Sequence, residues 1–133
     1  MKSLPLLALV VVGGCMSKED RPTAHSISCP SQLVLTGGPY AVNCTIEYEP
    51  NGYVINMVLL DARDSSGSDW ISSNVIPTHD SEHQTLVVTS TQTTAPGLGE
   101  LTIAATLLNY SNDVSPMETR SNSVSTTMMV VAP

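Results

Sequence analysis

The densest set of chemically capable side chains is the segment His79-Asp80-Ser81-Glu82-His83. If this segment is extended, His79 and His83 lie on the same face, because alternate side chains of a strand point the same way. Two imidazoles can bind zinc, with neighbouring carboxylates orienting them. The spacing places no third ligand, so we interpret the segment as a polar surface loop. A zinc site in a metal-dependent hydrolase is the alternative.

A second group of acids, Asp61, Asp64 and Asp69, surrounds the run Ser65-Ser66-Gly67. Calcium favours several oxygen ligands on a flexible loop. The acids do not alternate with a glycine at the sixth position, so the spacing departs from the EF-hand pattern. The segment therefore predicts a Ser/Gly hairpin loop that carries solvated acids, with calcium binding as the alternative.

Trp70 is the single tryptophan of the chain, and it opens a short apolar run. A solvent-facing Trp on a sheet can stack on a sugar ring, which would indicate a carbohydrate-binding module. The competing interpretation places Trp70 in the core. The four tyrosines could join a binding face, but the sequence does not bring them together: Tyr40, Tyr48, Tyr53 and Tyr110.

Several function classes have no support in the sequence. The chain has no Gly-x-Ser-x-Gly elbow and no glycine-rich phosphate loop, so we expect neither an enzyme nor a bound cofactor. Its 133 residues carry a formal net charge of −7 and no cluster of Lys or Arg. Nucleic-acid binding needs clustered basic groups, so we expect no nucleic-acid partner.

Residues 1–14 have the organisation of a secretory signal. Lys2 precedes an apolar run from Leu4 to Val12, which two glycines follow. The run is too short for a membrane-spanning helix, which needs about 20 residues. A charged start, a short apolar segment and small residues at its end are typical of an export signal that is removed.

The end of this leader, Val12-Gly13-Gly14-Cys15, resembles the lipobox of bacterial lipoproteins. The resemblance implies cleavage before Cys15 and lipidation of its sulfur, hence a protein anchored to the cell envelope by its acyl chains. Met16 stands where an acidic residue would favour inner-membrane retention, so the outer membrane is expected if the host is Gram-negative. An ordinary signal peptide that leaves Cys15 as a free thiol is the alternative.

Residues 15–25 are expected to form the lipidated Cys and a short polar tether. If Cys15 is lipidated, Cys29 and Cys44 remain as an even pair in an exported chain, where disulfides are permitted. The turn signal Gly37-Gly38-Pro39 lies between them and could bring their strands together. We predict a Cys29–Cys44 disulfide; buried free thiols are the alternative, and a two-cysteine metal site has weaker support.

The hydrophobic period after residue 25 is two, the period of strands. Val42, Cys44, Ile46 and Tyr48 alternate with polar residues, and turn signals recur about every 8–12 residues. The pattern predicts an all-β domain over residues 26–133, a single antiparallel β-sandwich of about seven strands. It resembles immunoglobulin-like or fibronectin type III-like modules; a transthyretin-like sandwich is equally compatible.

These observations predict a membrane-anchored envelope lipoprotein. Its sandwich would act as a non-enzymatic binding or adaptor module for an envelope protein or glycan. A surface carbohydrate-binding module using Trp70 is the alternative, and a metal-dependent hydrolase using His79 and His83 has the least support.

Overall fold

The computed structural model describes residues 21–80, 84–110 and 118–133. The described part contains no helix and consists of nine strands in two sheets. The strands are β1 (Thr23–Ser28), β2 (Gln32–Val34), β3 (Tyr40–Glu49), β4 (Met57–Arg63), β5 (Asp69–Val75), β6 (Thr78–Asp80), β7 (Thr85–Gln92), β8 (Gly99–Tyr110) and β9 (Glu118–Val131). One sheet has the order β1-β3-β7-β6, and the other has the order β2-β9-β8-β4-β5.

Residues with period two form the core between the sheets. In β3 every second side chain is buried, and in β8 the residues from Leu101 to Leu107 alternate in the same way. The two inner faces meet as one apolar cluster that contains Ile46 and Leu86 from one sheet and Leu60 and Ile103 from the other. Removal of these side chains from water is the main force that holds the two layers together.

The expected count of about seven strands was too low, because β2 and β6 each contain three residues. So short a segment gives no detectable hydrophobic period, and its pairing is decided by its neighbours. After β1 the chain leaves the first sheet and joins the other sheet as β2. β2 pairs parallel to β9, so the sandwich is not purely antiparallel.

β1 begins at Thr23, three residues before the expected start of the domain at residue 26. Thr23 pairs with Glu49, and Ala24 is buried. A turn at Asn51-Gly52 has positive φ at both residues and a hydrogen bond from Tyr53 N to Pro50 O. The strands on either side of this turn belong to different sheets, so it does not close a hairpin.

The register gives the sandwich two distinct ends. At the N-terminal end lie the start of β1, residues 50–56, the end of β5, and the paired residues Tyr110 and Glu118. At the opposite end, which we call the distal end, lie residues 64–68 between β4 and β5 and residues 93–98 between β7 and β8.

Candidate functional site

Two loops at the distal end are joined through the carboxylate of Asp64. Its Oδ1 accepts hydrogen bonds from Ser66 N at 3.0 Å, Ser66 Oγ at 2.6 Å and Ser68 N at 3.2 Å. Its Oδ2 accepts the backbone N–H of Gly97 at 3.1 Å. The hydrogen bond from the Ser66 hydroxyl, followed by that from Gly97, lowers the pKa of Asp64. The arrangement holds residues 64–68 against residues 93–98, and we call these two segments the distal loop pair.

One further hydrogen bond joins the two loops, and another attaches residues 93–98 to Trp70 on β5. Ser65 Oγ donates to Leu98 O at 3.1 Å, and Trp70 Nε1 donates to Thr94 O at 2.8 Å. A Cβ at Gly97 would approach Asp64 Oδ2 to 3.0 Å, so the close contact favours glycine there. Leu98 is 58% exposed beside this network. The distal end therefore presents an ordered polar surface with the exposed Leu98 side chain beside it.

The outer face of the five-stranded sheet has a groove of about 310 Å³. Arg63 and Asp69 form an ion pair across it, with Arg63 Nε 2.9 Å from Asp69 Oδ1. Small side chains leave room on its floor; the lining residues are Asp61, Arg63, Asp69, Ser72, Thr102 and Ala104. Hydrogen-bonding groups of both charges around a shallow depression are suited to a polar ligand such as a glycan.

The predicted acids are therefore divided between two places. β4 and β5 form the hairpin expected from the sequence, and Asp64 lies in its loop. Asp64 is hydrogen-bonded within that loop, whereas Asp61 and Asp69 line the groove. Arg63 had no role in the sequence analysis, because its ion pair depends on the register between the two strands.

Trp70 is partly buried and packs against the hydrophobic core, with its N–H engaged by Thr94 O. This position favours the core interpretation over a free sugar-stacking platform. Two of the tyrosines, Tyr40 and Tyr48, are buried on the inner face of β3, and burial raises the pKa of Tyr48. Neither ring is available to extend a binding face around Trp70.

His79 lies in β6 rather than in a loop, and its side chain is exposed. Its suggested zinc partner His83 lies outside the described residues. Across residues 21–80, 84–110 and 118–133, no group of three or more His, Cys, Asp or Glu side chains could hold a metal ion. A different histidine, His25, has a carboxylate neighbour: its Nε2 is 3.1 Å from Glu49 Oε1. His25 was expected to lie in the tether, and no local pattern indicates this contact.

Cys29 and Cys44 form a disulfide, as the cysteine count predicted. Their Cα atoms are 4.3 Å apart. Cys29 directly follows β1, which pairs with β3 beside Cys44, so the bond links neighbouring strands of one sheet. Cys15, the expected site of lipidation, lies outside the described residues.

The described part of the chain contains no helix that is long and apolar enough to cross a membrane. No known protein-family model matches the chain, and no curated protein resembles it at a significant level.

Proposed function

We propose that the chain is an exported lipoprotein of the cell envelope, with Cys15 as its lipid attachment site and its sandwich as a non-enzymatic adaptor. The lipobox-like sequence supports the anchor. The adaptor role rests on the positions of two features at opposite ends of the sandwich. The chain enters the sandwich at Thr23, and the distal loop pair lies at the other end. An anchor before Thr23 would direct the distal loop pair away from the membrane.

The chemistry of the distal loop pair suits recognition of another protein. Residues 64–68 and 93–98 are held together by hydrogen bonds, so little conformational entropy would be lost on binding. Leu98 supplies an exposed apolar contact within a polar surround. In this proposal the partner is an envelope protein that docks at the distal end.

The anchor is tested by metabolic labelling with a palmitate analogue in a bacterial host. We expect the label on the natural chain and its loss, with release from the membrane fraction, in Cys15→Ser. Met16→Ser is the matched control and should keep the label. An unlabelled mature protein in the medium, or a label that survives Cys15→Ser, contradicts the proposal.

The adaptor role is tested by capture of envelope components on the detergent-solubilised full-length protein. We expect one defined protein to be retained, and Leu98→Asp to abolish its retention. Val87→Ser is the control, because Val87 is exposed on a sheet face away from the loops. If the natural protein, Leu98→Asp and Val87→Ser retain the partner equally, the distal loop pair is not the docking site.

The groove supports a second candidate, a surface carbohydrate-binding module. The Arg63–Asp69 pair and the Asp61 carboxylate offer the directional hydrogen bonds that sugar hydroxyls require. In the same capture experiment this function predicts retained polysaccharide without protein. Asp61→Ala and Arg63→Ala should then reduce retention, and Leu98→Asp should not.

A further inference from the structure

Three of the exposed apolar side chains lie at the N-terminal end of the sandwich. Val54 is 69% exposed, Ile76 is 80% exposed and Tyr110 is 41% exposed. Val54 and Ile76 are the two most exposed large hydrophobic residues of the described part. We call these three residues the apolar rim. Exposed apolar groups that share one edge indicate a contact surface, whereas scattered ones do not.

Hydrogen bonds and strand order define the positions of the rim residues. Asn109 Nδ2 donates to Val54 O at 2.6 Å, which holds the loop beside the end of β8. Asn56 makes two hydrogen bonds with the backbone of Tyr110. The Tyr110 N–H donates to Asn56 Oδ1 at 2.9 Å, and Asn56 Nδ2 donates to the Tyr110 carbonyl at 2.7 Å. Ile76 follows the end of β5, which is separated from β8 only by β4. At roughly 4.8 Å between strands, β5 and β8 are about 10 Å apart.

We propose that the apolar rim contacts the lipid bilayer, inserting into the boundary between headgroups and acyl chains. The inference rests on the proposed lipidation of Cys15. Only five residues separate Cys15 from Arg21, the first described residue, so an anchored chain could span roughly 20 Å there at most. That span keeps the N-terminal end of the sandwich beside the membrane.

The composition of this end also favours lipid over an electrostatic partner. Tyr110 has an apolar ring and a polar hydroxyl, the combination enriched at membrane–water interfaces. The neighbouring Glu118 forms an ion pair with Arg120. This ion pair partly offsets the acidic charge there, so apolar insertion has less charge to remove from water.

Among the described residues, no other exposed large apolar side chain lies at this end. Leu98, Met129 and Val34 lie near the distal end, where Gly99 pairs with Val130 and Val130 pairs with Leu33, and Val87 lies on the outer face of the four-stranded sheet. Leu98 therefore provides a matched position: exposed and apolar, but at the end turned away from the anchor.

The test uses the full-length acylated protein in phosphatidylcholine vesicles whose acyl chains carry bromine, which quenches tryptophan at short range. Single substitutions Tyr110→Trp, Ile76→Trp and Leu98→Trp introduce reporters, and the native Trp70, near the distal end, supplies the background. We expect the added emission of the Tyr110→Trp and Ile76→Trp proteins to be quenched and shifted to shorter wavelength. The Leu98→Trp and unsubstituted proteins should be unaffected.

Mass spectrometry of the Cys15 peptide separates the two proposals. If Cys15 carries no acyl chain, the proposed anchor and the bilayer contact both fail. If Cys15 is acylated and the vesicles retain the protein, unquenched Tyr110→Trp and Ile76→Trp overturn the bilayer contact alone. A shift to shorter wavelength without quenching would assign the apolar rim to a protein partner, also overturning the proposal. Equal quenching of Leu98→Trp would show that the sandwich has no preferred orientation at the membrane, and it would also overturn the proposal.

Discussion

Asn122 on β9 and Ala24 on β1 exchange two hydrogen bonds between the two sheets. Asn122 Oδ1 accepts from Ala24 N at 2.9 Å, and Asn122 Nδ2 donates to Ala24 O at 2.8 Å. The two residues are 98 positions apart in the chain. One amide side chain thus serves as the partner of a buried backbone unit and holds the first strand against the last.

We expect Asn122→Ala to destabilise the domain by about 1–3 kcal/mol, because it leaves the buried N–H and carbonyl of Ala24 without their partner. Urea unfolding monitored by circular dichroism gives the change. Asn74→Ala, on an exposed position of β5, is the control and should change the free energy of unfolding by less than about 0.5 kcal/mol. Similar urea midpoints for Asn122→Ala and Asn74→Ala would show that the hydrogen bonds of Asn122 to Ala24 do not stabilise the domain.

The Cys29–Cys44 disulfide closes a loop of 15 residues. Its reduction is expected to lower the free energy of unfolding by about 3 kcal/mol, because the unfolded chain regains conformational freedom. The measurement compares urea midpoints with and without reductant. The double variant Cys29→Ala/Cys44→Val keeps Cys15 and should not respond to the reductant. If the reductant still lowers the urea midpoint of this variant, the loss of stability does not come from breaking the Cys29–Cys44 bond.

Adjacent residues of β7 provide a test of the inner and outer faces. Leu86 is fully buried, and Val87 beside it is 38% exposed. We expect Leu86→Ala to destabilise the domain by about 2–5 kcal/mol, through lost burial and the cavity it leaves. Val87→Ala should change the free energy of unfolding by less than about 0.5 kcal/mol. A larger destabilisation by Val87→Ala than by Leu86→Ala would show that the register of β7 is shifted by one residue.

The lowered pKa of Asp64 makes its contribution to stability dependent on pH. Hydrogen bonds to its carboxylate, from Ser66 first and then from Gly97, bring the pKa below its ordinary value of 3.8. The folded state therefore favours the ionised form more than the unfolded chain does. The resulting stabilisation is fully present above pH 3.8 and is lost as the pH falls through the lowered value.

We expect Asp64→Asn to be less stable than the natural protein near neutral pH, and this difference to narrow below pH 3.8. Thermal unfolding measured between pH 7 and pH 2 tests the expectation. Glu100→Gln is the control for the loss of one negative charge, since Glu100 is exposed on β8. If the difference in stability between the natural protein and Asp64→Asn is constant with pH, the hydrogen bonds to the Asp64 carboxylate do not have the role assigned to them.

Local patterns identified much of the fold and part of the candidate sites. The alternation of Val42, Cys44 and Ile46 correctly indicated the buried face of β3, and the cysteine count indicated the disulfide. The three-residue strand β6, which contains His79, was missed. Trp70 was named as a candidate site residue, but its hydrogen bond to the carbonyl of Thr94 was not predicted. That contact joins segments 24 residues apart, and nothing in the local sequence specifies it.

The sequence by itself determined the all-β class, the inward-facing side of the long strands and the pairing of Cys29 with Cys44. Strand periodicity and cysteine parity are properties of residue order, so they can be read without coordinates. Only the tertiary structure decided that β2 joins β9 in parallel, that Asp64 meets Gly97, and that Val54 lies beside Asn109. These relationships depend on which distant segments pack together, and packing is a property of the whole chain that no local pattern encodes.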